Sequence, residues 1–448
     1  MSLLHPLPSY PSSGLRRDSS LCNVCPDFIR NEGGRNWGRK RAAFIVGASD
    51  RPEESPKLVT FLGKGGSGKT TAAVLAAQYY AKAGLNTCIV LHSQDLTAEV
   101  LMGCTIGTSP TICCDNLSAV RLETSKMLLE PLDRLKRADK HLNLTQGVLQ
   151  GVVGEELGVL PGMDSIFSVL EIEKLLGYIR GSYKQKNNPH KEFDVIVYDG
   201  ISNEDTLRMM AVCRGARLYL KYLRNMAEKT DIGRLTAPSV IKLIDESLRR
   251  NGGSSDRSST ELWSAAEQAL ENASAAFSET SRFGCYLVMD LKSRISVNSA
   301  LRYWGCVIQA GAQVSGAFGF KAQTCDVSEE AAKEIFSPLP FALVPYLPAE
   351  CSVDWDATLK VLNKDAQDLF CGGNNNIQSV NFDRANKSVT LFMPGFNKTD
   401  IKLYQYRGGS ELLVEAGDQR RVIRLPLGVQ GKVGGAKFID RKLIITLL

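Results

Sequence analysis

A doubly wound, parallel α/β domain with helical insertions, followed by a small all-β sandwich, is the fold that this 448-residue chain predicts. Three observations predict it. A glycine-rich loop lies where an apolar, β-branched run gives way to an alanine-rich one. Strand-like and helical stretches then alternate from residue 57 to 370. Past a Gly/Asn connector at 371–376, the pattern changes to short alternating strands over 377–448.

Residues 1–50 stand apart. They are rich in Ser, Pro and Arg, lack a long apolar core, and carry Arg39-Lys40-Arg41 just before Phe44-Ile45-Val46-Gly47-Ala48, a composition that suits a disordered organellar transit peptide, with a disordered cytosolic tail as the alternative. Seven basic against three acidic residues within 1–41 leave only two of the six net positive charges for the rest of the chain. A body so nearly neutral excludes nucleic acid as an expected partner. No apolar stretch is long enough to span a membrane, so any membrane contact is expected to be indirect. Cys22 and Cys25 form a C-x-x-C with no second ligand pair nearby, and the other ten cysteines follow no framework spacing, as reduced thiols do.

The first strand is Leu58-Val59-Thr60-Phe61-Leu62, and a helix is expected over Thr71 to Ala83. Between them runs Gly63-Lys64-Gly65-Gly66-Ser67-Gly68-Lys69-Thr70-Thr71, a phosphate-loop pattern in the strand-to-helix context that it requires. Four glycines let the backbone wrap so that its N–H groups converge on an anion. Lys69 is expected to reach the β and γ phosphates and the Thr70 hydroxyl to bind Mg²⁺, which predicts a nucleoside triphosphate as ligand.

A second strand over Asn86 to His92 ends at Ser93-Gln94-Asp95. A carboxylate at that end of a parallel strand can orient water or Mg²⁺; it can equally cap a helix. Residues 96–190 read as a long, mostly helical insertion, with Met127, Leu128, Leu132 and Leu135 at helical spacing and Pro161-Gly162-Met163-Asp164 opening a further helix. The apolar helices over 115–180 are either core or a client-binding groove. Phe193 to Asp199 reads as a buried strand whose terminal Asp199 can hold Mg²⁺ through water. Further strands are expected at Cys285 to Met289 and Val314 to Phe320, with a mobile loop at 251–260. In the tail, strands are expected at Val380–Asp383, Ser388–Met393, Ile401–Tyr406, Glu411–Glu415, Arg420–Leu425 and Lys442–Leu448. A sandwich of about 70 residues is near the lower limit for standing alone, so it is expected to pack on the body.

Lys64 directly follows the first glycine. This GKGG-x-GKT form, a deviant Walker A, resembles the loop of the arsenite-pump ATPase, the tail-anchored-protein targeting ATPase, nitrogenase iron protein and the septum-site and partition ATPases. Pro161-Gly162-Met163-Asp164 with Ser168-Val169-Leu170-Glu171 is similar to the PGIDE-x-x-S segment of the arsenite-pump and targeting group. Thr206-Leu207-Arg208 resembles its second switch, Asp95 matches the aspartate of its first switch, and Pro345-Tyr346-Leu347-Pro348 resembles its adenine-side loop. The resemblance covers about 57–365. It implies ATP hydrolysis in a homodimer, with Asp95 and Lys64 catalytic and Lys64 reaching across to the partner's nucleotide. Ser315 falls near the place of the base-reading Asn. The tail is similar to the α-crystallin domain of small heat-shock proteins through Met393-Pro394-Gly395-Phe396, Asp400-Ile401 and Leu443 to Leu447.

An ATPase of this group with such a tail and a transit peptide resembles a plastid branch of plants. That implies the chloroplast stroma, with mitochondrion or cytosol as alternatives. The implied function is a targeting factor or chaperone whose nucleotide state controls binding of hydrophobic or tail-anchored-like client segments. The alternatives are arsenite or metal handling through Cys104, Cys113 and Cys114, and a slow ATPase switch that binds a folded partner. Two departures from the group stand out: Leu96-Thr97-Ala98 replaces Pro-Ala-His, and Asn203-Glu204-Asp205 replaces Thr-Gly-His.

Overall fold

A computed structural model describes residues 57–123, 168–169, 171–172, 175, 193–211, 259–321, 327–347, 353–372 and 377–448. Outside the described residues lie the transit-peptide segment with Cys22 and Cys25, the 127–135 apolar residues, Pro161 to Asp164, most of the 251–260 loop, Pro348 and connector residues 373–376.

Among the described residues, the core of the body is an eight-stranded sheet of order β3-β4-β2-β5-β1-β6-β7-β8. Its strands are β1 (Lys57–Leu62), β2 (Thr87–Leu91), β3 (Thr111–Cys114), β4 (Leu117–Arg121), β5 (Val195–Asp199), β6 (Phe283–Asp290), β7 (Gly316–Lys321) and β8 (Phe341–Pro345). All pairings are parallel except β3 with β4. The central strands are continuous apolar runs because helices cover both faces of the sheet. Those helices are α1 (Lys69–Lys82), α2 (Thr97–Met102), α3 (Ser259–Ser278), α4 (Arg294–Ala310), α5 (Glu329–Phe336), α6 (Trp355–Val361) and α7 (Lys364–Cys371). On α1, Ala72, Ala73, Ala76 and Ala77 are buried, and such small side chains let the helix axis lie close to the sheet. Ser293 starts α4 by accepting a hydrogen bond from Ser296 N, and Gly311 ends it at φ 90°.

The insertion after Asp95 is not mostly helical where it is described. After six residues of α2 the chain makes the β3–β4 hairpin, turning at Asn116 with φ 61°, and β4 joins the parallel sheet beside β2. Leu117, Ala119 and Val120 are buried there on a strand that is paired on both edges, by β2 and β3, so residues 117–121 are core and not a helical groove. Val169 and Ile172, 8% and 3% exposed, also belong to the core.

The tail is a sandwich of two antiparallel sheets, β14-β15-β10-β9 and β11-β12-β13. Its strands are β9 (Val380–Asp383), β10 (Ser388–Phe392), β11 (Lys402–Tyr406), β12 (Glu411–Ala416), β13 (Gln419–Arg424), β14 (Val433–Ile439) and β15 (Lys442–Leu447). β14 is the strand that sequence reading misses. Gly434 and Gly435 interrupt its alternation, and its register with β15 shifts between Val433 and Gly435.

The sandwich and α4 share one apolar cluster. The Trp304 ring meets Phe392 edge-on at 5.1 Å and stacks on Phe336 at 6.3 Å. A Cβ at Gly305 would run into the Pro394 carbonyl and the Phe396 ring, and one at Gly395 would meet the Leu301 carbonyl oxygen at 2.5 Å. Gln309 Nε2 lies 2.8 Å from Met393 Sδ. Where α4, the helical residues 203–211 and the β12–β13 turn meet, Glu204, Arg208, Tyr303, Cys306 and Asp418 line a cavity of about 300 Å³.

Candidate functional site

β1 ends at Leu62, and its continuation folds back over the N-terminus of α1. Gly66 and Gly68 take φ 78° and 90°, which only glycine adopts cheaply. A Cβ at Gly68 would also lie 2.6 Å from the Phe320 ring, whereas Gly65 and Gly66 face open space. Ser67 N closes the turn on Lys64 O at 3.0 Å, while Ser67 Oγ is buried without a hydrogen-bond partner among the described residues. Lys64 is exposed at the outside of this loop, and Thr71 continues α1.

The side chains of Lys69, Thr70 and Asp199 converge beneath the loop. Thr70 Oγ1 donates to Asp199 Oδ2 at 2.8 Å, and Lys69 Nζ donates to Gly63 O at 3.1 Å. Burial pushes the Asp199 carboxyl up to about 6; the Thr70 hydrogen bond and the Lys69 charge oppose that rise, and the Asp95 carboxylate adds to it. Burial likewise lowers the Lys69 ammonium, against the charges of Asp199 and Glu204. Asp95 is exposed and accepts from Thr97 N at 3.1 Å and Thr97 Oγ1 at 2.9 Å, a local turn just before α2, and its charge reaches Asp199.

Two residues that sequence reading leaves without a role prove to brace the site. Arg121, 7% exposed at the end of β4, donates to Ser93 O and pairs with Glu99 at 2.8 Å, which fixes the segment that carries Asp95. Asn203 bonds both backbone groups of Gly63. Neither has a local motif, because each contact joins segments far apart in the chain.

On the far side of the loop, Pro345 is the last residue of β8, paired with Lys321. The Tyr346 hydroxyl next to it donates to Asp290 at 3.2 Å, its ring meets Phe320 edge-on at 5.9 Å, and Lys292 Nζ lies 5.1 Å from the ring centre. Ser315 is misplaced by the sequence reading. It precedes the N-terminal end of β7 and bonds Cys285 O, whereas the loop lies at the C-terminal ends of the parallel strands. Phe320 and Lys321 occupy the end of β7 nearest the loop. The three candidate thiols do not converge either. Cys104 Sγ donates to Cys113 Sγ at 2.8 Å, but Cys114 Sγ faces Gln78 at 3.9 Å, and the described residues hold no metal-competent group of three ligands.

A family model described as anion-transporting ATPase matches residues 56–299, more than half of the chain. The chain belongs to the ArsA ATPase family. A second model, for the HSP20-like domain found in ArsA, matches residues 384–447, the sandwich. Candidate arsenical pump-driving ATPases of Prosthecochloris vibrioformis and Chlorobaculum tepidum are each 23% identical over 422 residues, which cover 87% of this chain and 95% of the relative. An ATPase ASNA1 homolog of Paramecium tetraurelia is 28% identical over 161 residues, 35% of this chain and 45% of the relative. This ArsA ATPase therefore pairs a parallel-sheet ATPase body with an HSP20-like tail, and ArsA-type ATPases use ATP. The site suits Mg²⁺·ATP in its details: an open Gly65–Gly66 face for phosphate, an orphaned Ser67 hydroxyl beneath it, and a hydroxyl and carboxylate already adjacent at Thr70 and Asp199.

Proposed function

We propose that this ArsA ATPase is a homodimer that hydrolyses Mg²⁺·ATP and uses its nucleotide state to control binding of hydrophobic client segments, including tail-anchored-like ones. The supporting observation is where its apolar side chains are exposed. Leu96 after β2, Val100 on α2, Ile201 after β5 and Ile295 on α4 are each more than half exposed. All follow strand C-terminal ends, the edge that also carries Lys64, so a second copy covering this edge would bury them and bring the two Lys64 side chains to opposite sites.

In this reading the backbone of Gly63, Lys64, Gly65, Gly66, Ser67 and Gly68 cradles the phosphates, Lys69 binds the β and γ groups, and Thr71 helps seat the helix terminus. Thr70, with Asp199 through water, would hold Mg²⁺, which would supply neutralising charge to the phosphate oxygens. Asp95 orients the attacking water, Lys64 stabilises transition-state charge from the partner copy, and Pro345 with Tyr346 flanks the base. In this reading residues 1–50 act as an organellar transit peptide, the resemblance to a plastid branch makes the destination the chloroplast stroma, and delivery touches membranes only indirectly.

Asp95→Asn is expected to bind ATP without turnover. Purified from its native organelle with ATP, this variant should be a dimer carrying crosslinkable apolar segments. A monomer, or a dimer crosslinked only to one folded protein, overturns the client reading. The Cys104–Cys113 contact favours a second reading, in which a dithiol takes up arsenite. An ATPase rate unmoved by arsenite or antimonite removes it.

A further inference from the structure

One side chain fastens the second switch to the phosphate loop. Asn203 begins the helical residues 203–211 just after β5 and is 6% exposed. Its Oδ1 accepts from Gly63 N at 3.1 Å, and its Nδ2 donates to Gly63 O at 2.8 Å. Of the side chains of this length, only a carboxamide offers a donor and an acceptor side by side; a carboxylate can only accept, and a hydroxyl presents one atom.

The Gly63 carbonyl has a second donor, Lys69 Nζ at 3.1 Å. The ammonium has three donors, so Lys69 can share itself between that carbonyl and phosphate oxygens; wherever it turns fully to the nucleotide the carbonyl depends on Asn203, and a buried carbonyl left without a donor is destabilising. The start of the loop cannot shift to find another partner. A Cβ at Gly63 would already lie 2.5 Å from Ser67 Oγ and would collide with the Val288 carbonyl, so the backbone there is tightly enclosed. Asn203 Nδ2 is the donor that stays.

We propose that Asn203 is a positioning residue of the ATPase reaction: by bonding both backbone groups of Gly63 it fixes the start of the phosphate loop and the carbonyl on which Lys69 rests, however Lys69 divides its donors between carbonyl and nucleotide, and so sets ATP affinity. This rests on the reading of Lys69 as a phosphate ligand. It also gives the departure from Thr-Gly-His a purpose, because a threonine at 203 would offer a single, shorter-reaching oxygen where the carboxamide offers separate donor and acceptor atoms to Gly63 N and O.

The test is steady-state ATP hydrolysis by the full chain, with Lys69→Ala as the control for the underlying reading. Asn203→Asp, which turns an acceptor toward the Gly63 carbonyl, is expected to raise KM for ATP about tenfold, with Asn203→Ala weaker and Asn203→Thr weaker still. The kcat of each should stay within about threefold of the parent. A merely structural role would instead lower kcat with the folded fraction and leave KM unmoved. If Lys69→Ala abolishes binding of a fluorescent ATP analogue while folded Asn203→Asp and Asn203→Ala keep KM within about twofold, the proposal fails and the loop assignment stands. If Lys69→Ala binds the analogue normally, the loop assignment itself fails. Should Asn203→Asp not fold, the ordering of Ala above Thr decides, and equal KM values in the two overturn the proposal.

Discussion

The Arg302 guanidinium on α4 donates to the Asp400 carboxylate of the sandwich at 2.6 Å and to the Gly395 carbonyl at 2.9 Å, and it covers the Phe396 ring at 4.2 Å. That contact holds the Asp400 carboxyl below the usual carboxylate range. A carboxylate lowered in the folded state contributes stability above its unfolded pKa, near 3.8, and loses it as the pH falls through the lower folded value. Both partners are partly exposed, 38% and 29%, so the pair is worth at most about 1 kcal/mol. Arg302→Met should melt slightly earlier than the parent at neutral pH, and the gap should close once the pH is well below 3.8.

Trp304 is fully buried between Phe392 of the sandwich and Phe336 of the body. Trp304→Ala should cost about 3–5 kcal/mol. Calorimetry should show the parent unfolding in one transition, with body and sandwich together; two separate transitions would contradict a shared core.

Lys64→Ala and Asp95→Asn are each expected to be inactive alone. Mixed and allowed to exchange subunits, they should regain about a quarter of the parental rate, the statistical share of intact sites if Lys64 acts across the dimer. A mixture as inactive as its parts would place Lys64 in its own subunit's site.

Asp199, with its carboxyl raised to about 6, holds its proton longer in the folded protein than in the unfolded chain. Its own contribution to stability is therefore fully present below 3.8 and lost as the pH rises through about 6. Metal binding needs the ionised form, so apparent Mg²⁺ affinity in the presence of an ATP analogue should fall roughly tenfold per pH unit below that value. Magnesium titrations of thermal stability across this range should show the decline, and Asp199→Asn should flatten it.

Much of this architecture is legible from local pattern. β1, β2, β5 and β6 announce themselves because strands buried on both faces must be apolar throughout, and the phosphate loop because its glycines obey backbone geometry. Thr70 and Asp199 are paired in advance by their places at the loop and at a strand end. The β3–β4 hairpin is not legible, since a short apolar run fits helix or strand alike and only pairing with β2 decides it. β14 hides behind two glycines. Asn203 and Arg121 act through backbone partners remote in the chain, and no spacing rule reports such partners. Ser315 fails for a directional reason: a residue at the wrong end of a parallel strand faces away from the ligand edge.

A side chain at Gly305 would run into the 394–396 segment, and one at Gly395 into residues 301–302 of α4. Evolution has thereby written the tail into the body's own helix. A lineage that sheds the sandwich is released from keeping glycine at 305 and is left with Trp304 uncovered, so the two glycines and the tryptophan should be inherited or lost as a set.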